Sequence, residues 1–302
     1  MSRSSTSVLA VGIGARDLAL GVRRTVPQRL RDRIRSGRAG TGTQESPPLT
    51  QPGVAHATIA MDEAQCFTEQ GALEVLRQGL AADAGAPGTS PESKRHAFIV
   101  LDDFWANHAI LRGDFRGMRA REIVEIALAY FVDTFGLDGG SLLIRWQLQG
   151  GGRALFASAM SRSLHDGIHE VSSSARVEVK SLTLGLPQIL NRVRRAVDGR
   201  EALLLVVAES LLHAVTMEDN RWAAYDTQRL FADDAGDALR LAGIAEHMFE
   251  RSSTRRREDC MVYLCGLPID PAPFEERFAA AIQLPGRAGA DSHALRLMEF
   301  AQ

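Results

Sequence analysis

Two histidines four residues apart, His165 and His169, are the first side chains whose spacing could do chemistry. On a helix that spacing turns both imidazoles to one face, as two ligands of a metal must be. No Glu lies between them in the metalloprotease arrangement and no third ligand accompanies them, so a solvated helix face is the plainer reading. Gly12-x-Gly14 follows an apolar run, where glycines let backbone N–H groups approach a phosphate. No third glycine opens a helix after it, which excludes a dinucleotide fingerprint and leaves a hairpin turn. Asp102 and Asp103 are adjacent at a strand end; adjacent residues diverge, so they read as turn residues, not a facing acid/base pair. Glu209, without a metal partner, reads as a loop carboxylate. No Ser/His/Asp or Cys/His set is recognisable from spacing. Cys66, Cys260 and Cys265 are odd in number and lack metal-ligand spacing, so they read as reduced, buried thiols. No residue is assigned to catalysis, a cofactor or a metal.

The stretch from Arg23 to Arg38 carries Arg23, Arg24, Arg29, Arg31, Arg33, Arg35 and Arg38 against Asp32 alone. Val26, Leu30 and Ile34 recur every four residues, the pattern of a short basic amphipathic helix that could sit on an anionic membrane surface. The apolar stripe is short, which favours a solvated insertion loop. No groove-binding motif accompanies the charge and the net charge is -2, so nucleic acid is not an expected partner.

The elements that must position these groups follow from 302 residues, enough for about two domains, of which 45% are hydrophobic and 24% charged. The N-terminus has no apolar signal region, and no run approaches the ~18 apolar residues of a membrane span. A cytoplasmic protein with at most peripheral membrane contact is expected. Ser36 to Gly53 and Asp83 to Ser93 read as linkers rich in Gly and Pro. Strands are expected at Val8–Gly14, Leu18–Val22, Ala55–Met61, His96–Leu101, Trp105–Leu111, Leu142–Gln149, Ala154–Ala159 and Val177–Leu184. A second series follows at Leu203–Ala208, Leu211–Met217, Trp222–Gln228 and Cys260–Cys265. Helices are expected from Asp62-Glu63 through Leu80, at Ala120–Phe135, Ser161–Val171 and Pro187–Val197, after a cap at Asp233-Asp234, and at Phe274–Ile282 and His293–Phe300. The order is a βββαβα-like unit given twice. It predicts an α/β, duplicated ribonuclease-H-like fold with a small inserted subdomain.

Three segments carry a resemblance. Ile99-Val100-Leu101-Asp102-Asp103 followed by Trp105 to Leu111, Arg121 to Ala127 followed by Tyr130-Phe131, and Ala154 to Val197 resemble the actin-like cytoplasmic assembly proteins of type IV pili (PilM-type). They are also similar to the cytoplasmic domain of the actin-like type II secretion platform protein. The resemblance implies a first actin-like lobe over 1–200, with the inserted subdomain about 102–152, and a second lobe over 201–302. ATP-binding members of this fold carry Asp-Ile-Gly in both turns, the Asp orienting Mg-bound water and the Gly admitting phosphate. Here Gly12-Ile13-Gly14 and Ala208-Glu209-Ser210 stand in those places, and the third cleft element survives as Leu264-Cys265-Gly266. The resemblance therefore implies a non-enzymatic scaffold on the cytoplasmic face of the inner membrane, with a degenerate nucleotide cleft and no cofactor. Its partner would be an inner-membrane pilus or secretion assembly protein, held through a short cytoplasmic tail. The rival is an active ATPase or small-molecule kinase of the same fold.

Overall fold

The computed structural model describes residues 7–22, 56–85, 95–197, 201–231, 234–266, 268–284 and 292–301. The basic stretch Arg23 to Arg38, the linker at Ser36 to Gly53 and most of that at Asp83 to Ser93 lie outside the described residues. The strands are β1 (Ser7–Ile13), β2 (Asp17–Val22), β3 (His56–Ala60), β4 (Arg95–Leu101), β5 (Ala106–Arg112), β6 (Leu142–Gln149), β7 (Ala154–Ser161) and β8 (Val177–Leu184). They continue with β9 (Glu201–Val207), β10 (Leu211–Glu218), β11 (Arg221–Arg229), β12 (Met261–Gly266) and β13 (Ala280–Gln283). The α-helices are α1 (Glu69–Ala84), α2 (Ala120–Phe135), α3 (Arg162–Ser174), α4 (Gly185–Val193), α5 (Ala238–Ser252), α6 (Ala272–Glu275) and α7 (His293–Phe300). No helix among the described residues is long and apolar enough to cross a membrane.

Two compact units form. The first comprises Met1–Asp102, Gly167–Gly185 and Ala294–Gln302. Its sheet has the order β3-β2-β1-β4-β8. β1 pairs antiparallel with β2 and parallel with β4, so it is the buried centre and reads as an unbroken apolar run. Helix α1 starts later than its acidic signal at Asp62-Glu63. Cys66 is extended and Phe67 takes φ 64, ending a 3-10 turn at Glu63–Gln65. The Thr68 hydroxyl then caps the helix by accepting the Gly71 N–H at 3.0 Å.

Helix α7 closes this unit. Ala294, Leu297 and Met298 pack with Ala10, Ala19 and Val100 in one core cluster. The expected lobe boundaries, 1–200 and 201–302, put this helix in the second lobe. Its apolar face instead covers the first sheet.

The second unit comprises Asp103–Asp166 and Leu186–His293. It holds a sheet of order β11-β10-β9-β12-β13 and a three-stranded sheet of order β5-β7-β6. Leu203 and Leu205 of β9 pack against Leu241, Ala245 and Met248 of α5, while Leu204 and Val206 pack against Leu186, Leu190 and Val193 of α4. Asp219 and Asn220 take φ 49 and 59 in the β10–β11 hairpin, the two positive values a type I′ turn requires. The small sheet is backed by α2 through Ile123, Ala127 and Phe131. Its middle strand β7 reaches Ser161, beyond the expected limit of the insert near 152.

Elements of the second unit also differ from expectation, α4 running over Gly185–Val193 in place of Pro187–Val197. The residues Phe274 to Ile282 are a single helical turn followed by strand β13, which pairs parallel to β12 (Met261↔Ala280). Phe274 and Phe278 are both buried four residues apart, which mimics a helix; the open edge of β12 decides otherwise. Helix α5 is capped by Asp237, whose carboxylate accepts the Arg240 N–H at 3.0 Å. Asp234 turns inward, accepting the Phe231 N–H at 2.9 Å and pairing with Arg240 at 2.7 Å.

The duplicated α/β unit read from the sequence is present: first, second, third, fourth and fifth strands take the order 3-2-1-4-5 in both large sheets.

Candidate functional site

The hairpin turns after β1 and β9 are where a nucleotide-binding member of such a fold would hold phosphate. In the first, the Gly14 N–H donates to the Asp17 carbonyl at 2.8 Å, and the Met61 N–H donates to the Arg16 carbonyl at 2.8 Å. The Arg16 guanidinium lies 5.0 Å from the Phe67 ring centroid. A Cβ at Gly12 would stand 2.0 Å from the Ala294 carbonyl oxygen and 2.5 Å from the Met298 nitrogen. Glycine is thus what lets the α7 backbone rest on β1, and no side chain fits there. A Cβ at Gly14 would stand 2.5 Å from Asp17 Oδ1. The Asp17 carboxylate therefore folds back over the turn, and its Oδ1 is buried without a hydrogen-bond partner. Sequence reasoning left Asp17 in the turn without a role, although a carboxylate three residues past a turn glycine was signal enough.

The second turn repeats those two bonds. The Ala208 N–H donates to the Leu211 carbonyl at 2.9 Å and the Leu230 N–H to the Ser210 carbonyl at 2.9 Å. The pairings Ile13↔Leu18 and Val207↔Leu212 fix the correspondence. Ala208 matches Gly14, and Val206 matches Gly12. The sequence reading matched Ala208 to Gly12, two residues out of register, because it aligned residue types without knowing where β9 ends. Val206 is 3% exposed and carries no charge. Glu209 is exposed. Gly266, the glycine of the third element, has φ 103, and a Cβ on it would lie 2.2 Å from the Val207 carbonyl oxygen.

The histidine pair does not assemble a metal centre. His165 Nδ1 lies 2.8 Å from Asp166 Oδ1. Among the described residues, no group of three or more His, Cys, Asp and Glu is arranged to hold a metal ion.

A polar relay that spacing did not reveal lies inside the second unit. His108 Nδ1 is 2.8 Å from Ser158 Oγ, and His108 Nε2 is 2.8 Å from Asp103 Oδ1. Asp103 Oδ2 accepts the Leu186 N–H at 2.6 Å, which places a carboxylate at the N-terminus of α4, where the helix dipole favours it. Tyr225 stands edge-on to His108 at 5.5 Å and its hydroxyl is 3.0 Å from His213 Nδ1. Burial pushes the Tyr225 phenol well above its ordinary range. The Asp102 N–H goes to the Ile13 carbonyl at 2.8 Å, and Asp103, expected only as a turn residue, anchors this relay. The connectivity is that of a hydrolytic triad. With Ser158 5%, His108 2% and Asp103 6% exposed, no substrate reaches the hydroxyl, and the relay is a strut joining β5, β7 and α4.

No protein-family model and no curated protein sequence matches this chain. Solved structures do. A Bacteroides thetaiotaomicron protein with an actin-like ATPase fold and unknown function superimposes with TM-score 0.57 at 7% identity, over 93% of this chain and 92% of that one. A chain of the PilM–PilN type IV pilus biogenesis complex gives TM-score 0.56 at 13% identity, over 97% and 94%. The cytoplasmic domain of EpsL, an inner-membrane component of the Vibrio cholerae type II secretion system, gives TM-score 0.48 at 10% identity, over 97% and 93%. The fold of this chain is actin-like.

Proposed function

We propose that this actin-like chain is a non-enzymatic scaffold of a type IV pilus or type II secretion assembly, at the cytoplasmic face of the inner membrane. It holds a short cytoplasmic tail of a membrane partner and turns over no substrate. The observation that carries this reading is Gly12. ATP-binding members of the resembled fold place a metal-orienting Asp there, whereas here a bare Cβ would already lie 2.0 Å from the α7 backbone. Its counterpart Val206 is apolar and packed against α4. A likeness that spans 97% of this chain to a member of a pilus biogenesis complex supports the same reading. The arginines Arg23, Arg24, Arg29, Arg31, Arg33, Arg35 and Arg38 add a peripheral contact with anionic lipid in this proposal. Gentle crosslinking and co-purification from native membranes should recover an inner-membrane assembly protein. Recovery of the protein alone would overturn the scaffold.

One observation favours the rival, an actin-like ATPase or small-molecule kinase. Asp17 Oδ1 is a buried carboxylate oxygen with no partner, beside the turn where Mg²⁺ would be held. Calorimetry separates the two: the scaffold shows no Mg-dependent ATP binding, whereas the enzyme binds at micromolar concentrations and loses that binding in Asp17→Asn.

A further inference from the structure

At the other end of the first sheet, where β4 and β8 begin and α3 ends, lies a pocket of about 450 Å³ that includes Arg95, His96, His169, Ser173, Arg176 and Glu178 in its lining. Leu101 of β4 stands beside Ile13, and Arg95 beside Ser7, so this pocket is a strand's length away from the Gly12–Asp17 turn. We infer that it binds a small phosphorylated molecule, gripping the phosphate with Arg95, Arg176 and the two imidazoles. The inference goes beyond the scaffold reading and does not depend on it.

The argument starts from the floor. Arg95 is 6% exposed, a burial a guanidinium tolerates only when paired. One of its terminal nitrogens meets Asp83 Oδ2 at 2.5 Å and the Leu80 carbonyl at 3.3 Å; the other meets the Ala175 carbonyl at 3.4 Å. Those bonds tie down the C-terminal ends of α1 and α3. They leave Nε buried without a partner. His96 Nδ1 is likewise buried and makes no hydrogen bond, although Glu178 Oε2 is 3.3 Å away. Two orphaned polar atoms in one pocket call for a ligand or solvent to satisfy them.

The polarity selects the ligand. Arg95, His96, Ser173, His169 and Arg176 can all donate, and only Glu178 is restricted to accepting. Glu178 is itself bonded to Lys180, which neutralises it. Donors in that excess fit an oxyanion. A dianionic phosphate, with three acceptor oxygens, uses more of them than a carboxylate does. The volume exceeds what the phosphate alone needs and lies in the range of small-molecule pockets, so the phosphate arrives attached to something. Arg176 sits at φ 57, in the left-handed region. That conformation gives the test its instrument, because Asn accepts it better than Arg does.

The experiment titrates the full chain with glycerol 3-phosphate, inorganic phosphate and malonate at constant ionic strength, following the imidazole resonances of His96 and His169. The expected result is a saturable shift with both phosphates, tighter for the ester, and weaker binding of the dicarboxylate. Arg176→Asn should lower phosphate affinity about tenfold or more, as loss of a charge-assisted hydrogen bond predicts, without lowering the melting temperature. His169→Gln is the second variant, keeping a donor but removing the imidazole. An absent shift, equal affinity for malonate, or unchanged phosphate binding in both variants would each overturn the inference. Free phosphate binding as tightly as the ester would overturn its small-molecule part.

Discussion

Arg95 and Cys260 occupy the same place in the two large sheets, one residue across from Ser7 at the start of β4, the other across from Glu201 immediately before β12. In the first sheet that place holds a buried cation that ties two helix ends together; in the second it holds a thiol with no exposed surface. The glycines are exchanged in the same way. The first sheet has Gly12 on its central strand and Leu101 on the next, whereas the second has Val206 on its central strand and Gly266 where Leu101 would be. What the two halves share is the pairing of strands and the four-residue turn. Side-chain identity is free to change wherever the covering helix changes with it. Gly12 is dictated by α7, Val206 by α4, and neither by the sheet.

The sharpest way to break this comparison is to install at Gly12 the carboxylate that ATP-binding members carry. Gly12→Asp should cost about 3 kcal/mol or more, since it both overpacks the α7 contact and buries an unpaired charge. Urea unfolding checks it, and a near-neutral variant would mean that α7 does not need the glycine. Gly266→Ala probes the exchanged position and should cost about 2 kcal/mol, because φ 103 strains any Cβ and the Val207 carbonyl stands 2.2 Å from it. Leu101→Ala, at the equivalent place in the first sheet, would lose stability by the opposite mechanism, a cavity.

The smallest effect sharpens the contrast between Arg95 and Cys260. Burial first, and the Glu201 charge second, push the Cys260 thiol up from 9.0 to about 12. The folded chain therefore keeps a proton that the unfolded chain releases above about pH 9, so the stabilising contribution is complete below that pH and is lost as pH rises towards about 12. At pH 8 an alkylating reagent should modify Cys260 only after unfolding. Modification of native protein at the rate of an unfolded control would show the thiol to be accessible.

Much of this architecture was legible because local signals agreed with the global fold. Helix α2 has its apolar face at Ile123, Ala127 and Phe131, and it ends at Gly136 in the left-handed region, so both limits match the sequence reading. Strands β6 and β8 and helix α7 match to the residue for similar reasons. What failed depended on partners distant in sequence. β13 exists because β12 offers an edge. The relay joins Ser158 to His108 across fifty residues, and no spacing rule spans that gap. The two-residue slip at the second turn arose because Ala202 to Ala208 is apolar throughout, giving no mark for the end of the strand. Of the candidate site, Gly14 was read as part of a hairpin turn and opens one, Gly12 lies instead on β1, and Asp17 was overlooked.

Helix α7 also sets a clock. β1 leaves a ribosome long before α7 does, yet Ala10 and Ala19 take their place in the core with Ala294, Leu297 and Met298. Closing so long a loop adds little to its entropic cost, since that cost grows only logarithmically, but it delays the contact. During synthesis the first sheet must therefore wait with one apolar face open to water, a surface that holdase chaperones bind, while the second unit can already assemble from its own consecutive strands. The sheet whose central strand is made early is the one that finishes folding late.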